Sequence, residues 1–244
     1  MYNEEVLLPY WLRHYETFAD QIFVWDDDST DSTREILSKH PKVTLLPREK
    51  HGLWDDYFVD ELFPQYKQYS RGIADWVIAV DADEFVYHPN LKEVLKTQKE
   101  KYNIQIIQCQ GFSMLSDKLP TTNGQIYDEI NMGVPDYLET KWVIHSPEID
   151  VYYRKGRHGY PHGFKIFRNK SRYPYNGIKL LHYRYLGKEY IEKRGIKNRL
   201  SNNLAHEIKI KEYDINEPMT RPDRSQGSIS EWLKYNKQKA IKII

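Results

Sequence analysis

Trp76-Val77-Ile78-Ala79-Val80-Asp81-Ala82-Asp83-Glu84-Phe85 is the stretch on which the reading of the fold turns. Its apolar run stops abruptly at three carboxylates. A run of this length, bounded by charge, predicts a fully buried strand. Open α/β sheets place their ligands at the carboxyl ends of such strands. Asp81 and Asp83, one residue apart, put two hard oxygen ligands at that edge. The pattern suits a divalent cation bridging protein to phosphate, because Mg2+ takes one or two carboxylates together with phosphate oxygens.

Upstream, Gln21-Ile22-Phe23-Val24-Trp25 reads as another strand. It also ends in acid, at Asp26-Asp27-Asp28-Ser29-Thr30-Asp31. A helix over 33–39 stops before Pro41. Residues 42–46 form a short strand, and a helix-like pattern fills 53–73. This alternation is the rhythm of a parallel sheet with covered faces, which would bring both acidic ends to one carboxyl edge. Clustered carboxylates repel, so a metal or hydrogen-bond donors must compensate them. Asn3 is expected to cap a helix starting near Glu4. No strand is expected before it, so the first strand of the sheet would be cut off or nearly absent.

Beyond Pro89 the pattern predicts a helix to about 101 and a strand at 104–110. An irregular stretch follows over 111–140, of the kind that usually serves binding. Short strands are expected at 141–144, 151–154 and 165–168, with a turn-rich loop at 156–163. Another strand at 180–185 precedes a basic helix from 188 to about 213. The fold class expected is α/β, a doubly wound, mostly parallel sheet flanked by helices, with a C-terminal helical extension. The expected organisation is a catalytic domain over 1–185, divided at 110/111, followed by a basic extension over 186–244.

Composition narrows the function classes. With 244 residues, 40% of them hydrophobic, the chain fits one elaborated domain. The single cysteine, Cys109, excludes an internal disulfide and a cysteine-rich zinc site; its apolar surroundings predict a buried core residue. No apolar run approaches the length needed to cross a bilayer, and no signal peptide is expected. The net charge of +1 conceals an asymmetry. Residues 1–100 hold 11 Lys+Arg against 20 Asp+Glu, and the remainder 25 against 15. The acidic half suits a metal and the basic half an anionic ligand. The tail, 228–244, joins an apolar stripe to Lys234, Lys237, Lys239 and Lys242. It reads as a basic amphipathic helix that packs on its own domain, with peripheral contact to an anionic membrane as the alternative. Near-neutral charge and the lack of a recognised module argue against nucleic acid.

Three motifs taken together resemble a known family. Tyr2-Asn3-Glu4-Glu5, Val24-Trp25-Asp26-Asp27-Asp28-Ser29-Thr30-Asp31 and Asp81-Ala82-Asp83-Glu84-Phe85 are similar to the family-two nucleotide-sugar glycosyltransferases of the GT-A fold. The nearest likeness is to the bacterial polysaccharide branch, with its later His-Tyr pair, here His182-Tyr183. The motifs cover roughly residues 1–90; Glu189-Tyr190 and Lys193 resemble the branch more loosely. The resemblance implies metal-dependent transfer of a sugar from a nucleoside-diphosphate donor to a hydroxyl on a glycan or lipid-linked acceptor. It implies an inverting reaction in bacterial surface polysaccharide synthesis, in the cytoplasm or at the inner membrane face. Tyr2, Asn3 and Glu4 would line the nucleoside pocket. Asp26 and Asp27 would bind base or ribose, and Arg71 would meet the nucleotide. Asp81 would contact the ribose or the metal, Asp83 would ligate Mn2+ or Mg2+, and His182 would be a third ligand. Asp28 stands where a small residue is usual, and Asp tolerates the left-handed geometry such a turn requires.

The chemistry is coherent. Negative charge develops on the departing diphosphate, where a divalent metal and nearby cations stabilise it. The acceptor hydroxyl needs a general base on the opposite face of the sugar. Asp128, Glu129 and Asp136 are the candidates, with His158 behind them, and the sequence does not choose among them. His158 and His162 are four apart, but Gly159 and Pro161 oppose a helical metal face. Two other readings stand beside this one. One is a non-catalytic nucleotide- or glycan-binding relative. The other is a haloacid-dehalogenase-type phosphatase, whose motif normally has Thr or Val where Phe85 stands.

Overall fold

The structure is a computed structural model, and it describes residues 1–47, 62–154, 157–161, 177–194 and 229–244. Chain order begins with α1 (Leu8–Tyr15), β1 (Ile22–Trp25), α2 (Thr33–Lys39) and β2 (Val43–Leu46). It continues through α3 (Tyr66–Ser70), β3 (Val77–Ile78), β4 (Glu84–Tyr87), α4 (Leu91–Glu100) and β5 (Ile106–Ser116). Next come α5 (Ile126–Glu129), β6 (Met132–Pro135), β7 (Lys141–His145), β8 (Val151–Arg154), β9 (Arg157–Pro161) and β10 (Lys179–Leu186). Residues 188–194 start α6, and α7 (Ile229–Lys237) leads to β11 (Ile241–Lys242). Among the described residues no helix is long and apolar enough to cross a membrane.

The architecture is α/β with mixed sheets, which corrects the expected mostly parallel, doubly wound one. β1 and β2 pair in parallel as a sheet of two. The main sheet runs β11-β6-β5-β10-β4, with β7 joining β5 to β3. Within it only β5 and β10 are parallel; the other pairs are antiparallel. The acidic segments after β1 and β3 therefore do not end neighbouring strands of one parallel sheet. The Trp76–Val80 run contains a two-residue strand and is half-buried rather than fully buried. Asp81–Asp83 form the turn between β3 and β4, closed by Glu84 N donating to the Asp81 carbonyl at 3.1 Å.

Long β5 organises the sheet. Its first residues pair with β7, its last with β6, and its other edge carries β10 from Gln110 to Ser116. It runs straight across position 110 and on into the stretch expected to be irregular. Gly111 is the reason. A Cβ there would lie 2.1 Å from the Glu139 carbonyl carbon, so only glycine lets the 136–140 turn rest on the strand. The expected loop at 156–163 contains β9, which pairs with β8. The expected strand at 165–168 lies outside the described residues, as does the basic helix beyond 194.

Side chains alternate across the pleat, so the sheet has a core on each face. Phe85 and Leu181 pack with α1, β1 and α2, whereas Val86 and Leu180 pack with α4. α1 earns its place by spacing: Leu8, Trp11, Leu12 and Tyr15 share one buried face. It also clamps the backbone beside it. Trp11 Nε1 donates to the Asp81 carbonyl (3.1 Å), Tyr15 Oη donates to the Glu84 carbonyl (3.0 Å), and His14 Nε2 donates to the Val86 carbonyl (2.9 Å). Cys109 is fully buried, and burial pushes its thiol pKa up. At the other end, Leu233 and Ile243 are buried against the domain, so the tail packs on its own core.

His14 and His145 are buried, and burial lowers each pKa to about 4. Both imidazoles therefore stay neutral in the fold but protonate near pH 6.5 when unfolded. Proton uptake by the unfolded chain lowers stability as pH falls from about 6.5 to about 4, by about 3 kcal/mol per ring. In histidine NMR spectra, both rings should hold neutral-imidazole shifts down to about pH 5. A titration midpoint near 6.5 for either would show that its ring is solvated.

Candidate functional site

Carboxylates at the ends of β1 and β3 meet through the N-terminal segment. Asn3 adopts a left-handed φ of 51° and does not cap α1. Its side-chain oxygen instead accepts from Thr30 N at 2.8 Å, and its backbone N donates to Ser29 Oγ at 3.0 Å. Glu4 N donates to Thr33 Oγ1 at 2.7 Å. Met1 lies alongside Asp26, accepting from Asp27 N at 2.6 Å. These bonds hold the acidic 26–31 loop in shape, and Asp28 takes the expected left-handed φ, 55°. Asp26 and Asp27 are buried at its base. Asp26 Oδ2 accepts from Ser29 N and pairs with Arg34, while its Oδ1 is buried and meets no hydrogen-bond partner among the described residues. The indole N–H of the preceding residue, Trp25, is also buried without a hydrogen-bond partner among the described residues. Buried polar atoms without partners are uncommon in folded proteins, and two occur at this strand end.

The second carboxylate group is compensated by cations. Asp83 is 1% exposed. Its Oδ2 accepts from His182 Nε2 at 2.7 Å and lies 2.7 Å from Arg194 Nη2. Arg194, on α6, also reaches Tyr190 Oη (3.1 Å) and Glu4 Oε2 (3.4 Å), which ties the N-terminal segment to Asp83. His182 sits in β10 between Glu84 of β4 and Ser113 of β5. Its Nδ1 stands 3.2 Å from Glu139 Oε2, a charge contact off the line of a hydrogen bond. Lys141 Nζ bridges Glu139 (3.1 Å) and Glu84 (2.5 Å), and Glu84 Oε2 in turn accepts from Asp81 N at 3.0 Å.

Charge states follow from this arrangement. Burial opposes ionisation of His182, but the carboxylates of Asp83 and Glu139 outweigh it and raise the pKa to about 9. Burial would likewise raise Asp83, but Arg194 and His182 hold it well below the usual carboxylate range. Glu139 is lowered against its own burial by His182 and Lys141. Lys141 is raised against its burial by Glu84 and Glu139. The result is a buried chain of alternating sign.

Donor chemistry, carboxylate and imidazole, suits a hard divalent cation. Two groupings offer it. Asp83 and His182 are in contact, with exposed Asp81 two residues from Asp83. Glu84, Glu139 and His182 also bring ligand atoms within 4.8 Å of one another, but Lys141 already lies on both of those carboxylates. The first is likewise compensated from within, since Asp83 is 1% exposed and its Oδ2 already meets His182 and Arg194, so neither grouping stands open to a cation.

Other expected residues fall elsewhere. Arg71 donates to the Pro147 carbonyl and pairs with Asp150. Asp128 caps α5 by accepting from Gln125 N, and Glu129 accepts from the N–H groups of Thr121 and Thr122. Asp136 accepts from Leu138 N and Ser113 Oγ. Each of the three acids thus accepts at least one nearby backbone N–H. His158 lies on β9, whose side chains are outside the described atoms, and Tyr2 is half-buried. Glu139, Lys141 and Arg194 were not read from the sequence. The available signal for Arg194 was its spacing of four from Tyr190 on one helix.

Comparisons with known proteins add little to this geometry. No family profile matches the chain. Uncharacterised proteins of Mycobacterium bovis and Mycobacterium tuberculosis are each 40% identical to it over 75 residues, 28% of this chain. The chain spans 18% of the length of those relatives. Among solved structures, TarS 1–349 of S. aureus is similar at a TM-score of 0.33 and 16% identity, covering 60% of this chain and 45% of that one. That likeness is too low to carry an argument.

Lys141→Met should destabilise the fold by about 3–5 kcal/mol, because it removes the ammonium shared by two buried carboxylates. Urea denaturation measures this, and adding Glu84→Gln should restore part of the loss. A single variant as stable as the parent would show that the ammonium is not needed.

Proposed function

We propose that this chain is a metal-dependent nucleotide-sugar glycosyltransferase of the GT-A type, moving a sugar from a nucleoside-diphosphate donor to a hydroxyl acceptor. One observation carries the reading. The orphaned, buried carboxylate oxygen of Asp26 and the buried Asp83 belong to two acidic turns tied together by the same few N-terminal residues. A nucleoside is held by polar groups and a diphosphate by a cation, and in this reading the two turns would supply the carboxylates for each.

In this reading Asp26, with Asp27 and the Asn3–Glu4 segment, takes base or ribose hydroxyls. Asp83, with Asp81 and His182, holds Mn2+ or Mg2+. The cation would supply charge stabilisation for the departing diphosphate. The chain's own part is to fix that carboxylate. Tyr183 N donates to the Asp83 carbonyl at 2.8 Å, and Trp11 anchors Asp81, so the turn is rigid before any ligand arrives. Arg194 adds positive charge on the same side. A glycan or lipid-linked acceptor and a role in surface polysaccharide synthesis belong to the proposal. Membrane contact through the tail does not, since Leu233 and Ile243 are engaged in the core.

Asp83→Ala should lower turnover by on the order of 100-fold or more. It should also abolish the rise in melting temperature that UDP or GDP gives with Mn2+. Equal stabilisation by the nucleotide in excess chelator would sink the metal bridge. Asp26→Asn should weaken nucleotide binding by roughly tenfold, about 1.4 kcal/mol, with Mn2+ affinity unchanged. Isothermal titration separates the two effects, and an unchanged nucleotide affinity would remove Asp26 from the pocket.

A further inference from the structure

The two oxygens of the Asp26 carboxylate are treated differently. The side chain is 2% exposed, and both of its donors fall on Oδ2: Ser29 N at 3.3 Å and Arg34 Nη1 at 3.3 Å. Oδ1 is buried and meets no hydrogen-bond partner among the described residues. An arginine that only neutralises a carboxylate commonly grips both oxygens through its planar fork. Arg34 touches one of them. The outer torsion of an aspartate side chain is broad and nearly two-fold, so the residue itself does not decide which oxygen faces which way. Here the choice is made from outside. Ser29 is fixed in the loop, its Oγ accepting from Asn3 N at 3.0 Å, and Arg34 reaches in from the first turn of α2. The Arg34 side chain is 64% exposed, so this contact adds little to stability. Asp28 and Thr30 of the same loop are exposed as well, which puts the carboxylate at the base of a surface loop.

We propose that Arg34 is a positioning residue for the nucleoside site: with Ser29 N it holds Asp26 by Oδ2 and so keeps Oδ1 for a ligand group that donates, an N–H of the base or a ribose hydroxyl. The inference rests on the nucleoside role proposed for Asp26, and it needs no cation. A buried acceptor left without a donor is costly, and the ligand that brings the donor relieves that cost. A carboxylate already turned towards the ligand gives up little freedom when it binds. Arg34 therefore raises affinity through Asp26 and does not touch the ligand. Its effect belongs to binding and not to the stability of the fold.

The test is a double-mutant cycle on the full chain, read by isothermal titration with UDP and with GDP, in excess chelator and again with Mn2+. The parent is compared with Arg34→Gln, Arg34→Lys, Asp26→Asn and the double variant Arg34→Gln/Asp26→Asn. Arg34→Gln should weaken nucleotide binding by roughly three- to tenfold. Its melting temperature should stay within about 2 °C of the parent's. Arg34→Lys, which keeps a cation within reach of Oδ2, should recover most of the affinity. The double variant should bind no more weakly than Asp26→Asn alone, because the two residues act as one unit. A double variant weaker by the full Arg34→Gln factor would place Arg34 on the ligand itself and overturn the positioning role. So would a melting temperature that falls well beyond the stated margin, which would make Arg34 structural, or a loss in Arg34→Lys as large as in Arg34→Gln. Unchanged affinity in Arg34→Gln, with Asp26→Asn still weakened, overturns the inference and leaves the nucleoside role of Asp26 standing. Unchanged affinity in Asp26→Asn, or no nucleotide binding by any form, overturns both.

Discussion

A carboxylate shut away from water keeps its charge only beside a cation. Asp83 obeys this rule through His182 and Arg194. The constraint reaches through much of the molecule. His182 must lie on a strand next to β4, which requires β10 to pair there. Its imidazolium is flanked on the far side by Glu139, which lies where it does because Gly111 lets the turn rest on β5. Glu139 shares its charge with Lys141, and Lys141 shares its own with Glu84, back at the turn where the chain of charges began.

This chain of charges also explains how two acidic segments converge without a shared parallel sheet. β1 belongs to a small sheet and β3 to an antiparallel edge of another. The connection runs through the first dozen residues. Asn3 and Glu4 hold one turn, while Glu4, through Arg194, and Trp11, through a main-chain bond, hold the other. A short polar segment thereby does what neighbouring strand ends do in a doubly wound sheet.

Local features were readable from the sequence. α2 ends before Pro41, and α4 follows Pro89 with Leu91 and Leu95 on its buried side, because capping and periodicity act over a few residues. Asp28 in a left-handed turn was readable for the same reason. What was not readable depends on distant partners. β4 opens inside the acidic motif because β10, almost a hundred residues later, pairs with it. Gly111 looked like a break in β5 and is a contact point within it. Pro161 looked like a turn residue and lies at the end of β9. In the site, Asp83 and His182 were visible as residue types with a suggestive context. Glu139 and Arg194 were not, since an acidic residue in a loop and a basic one on a helix look solvated until the fold buries them.

Strand β11 has a consequence unrelated to chemistry. β11 is only two residues long, yet it covers the outer edge of β6 and places Lys242 at the border of the main sheet. An uncovered β6 would offer unpaired main-chain groups to any passing strand, with exposed Met132 beside them. Short length and a lysine are both poor templates for further pairing. β11 therefore blunts this edge of the sheet as a template for further strand pairing.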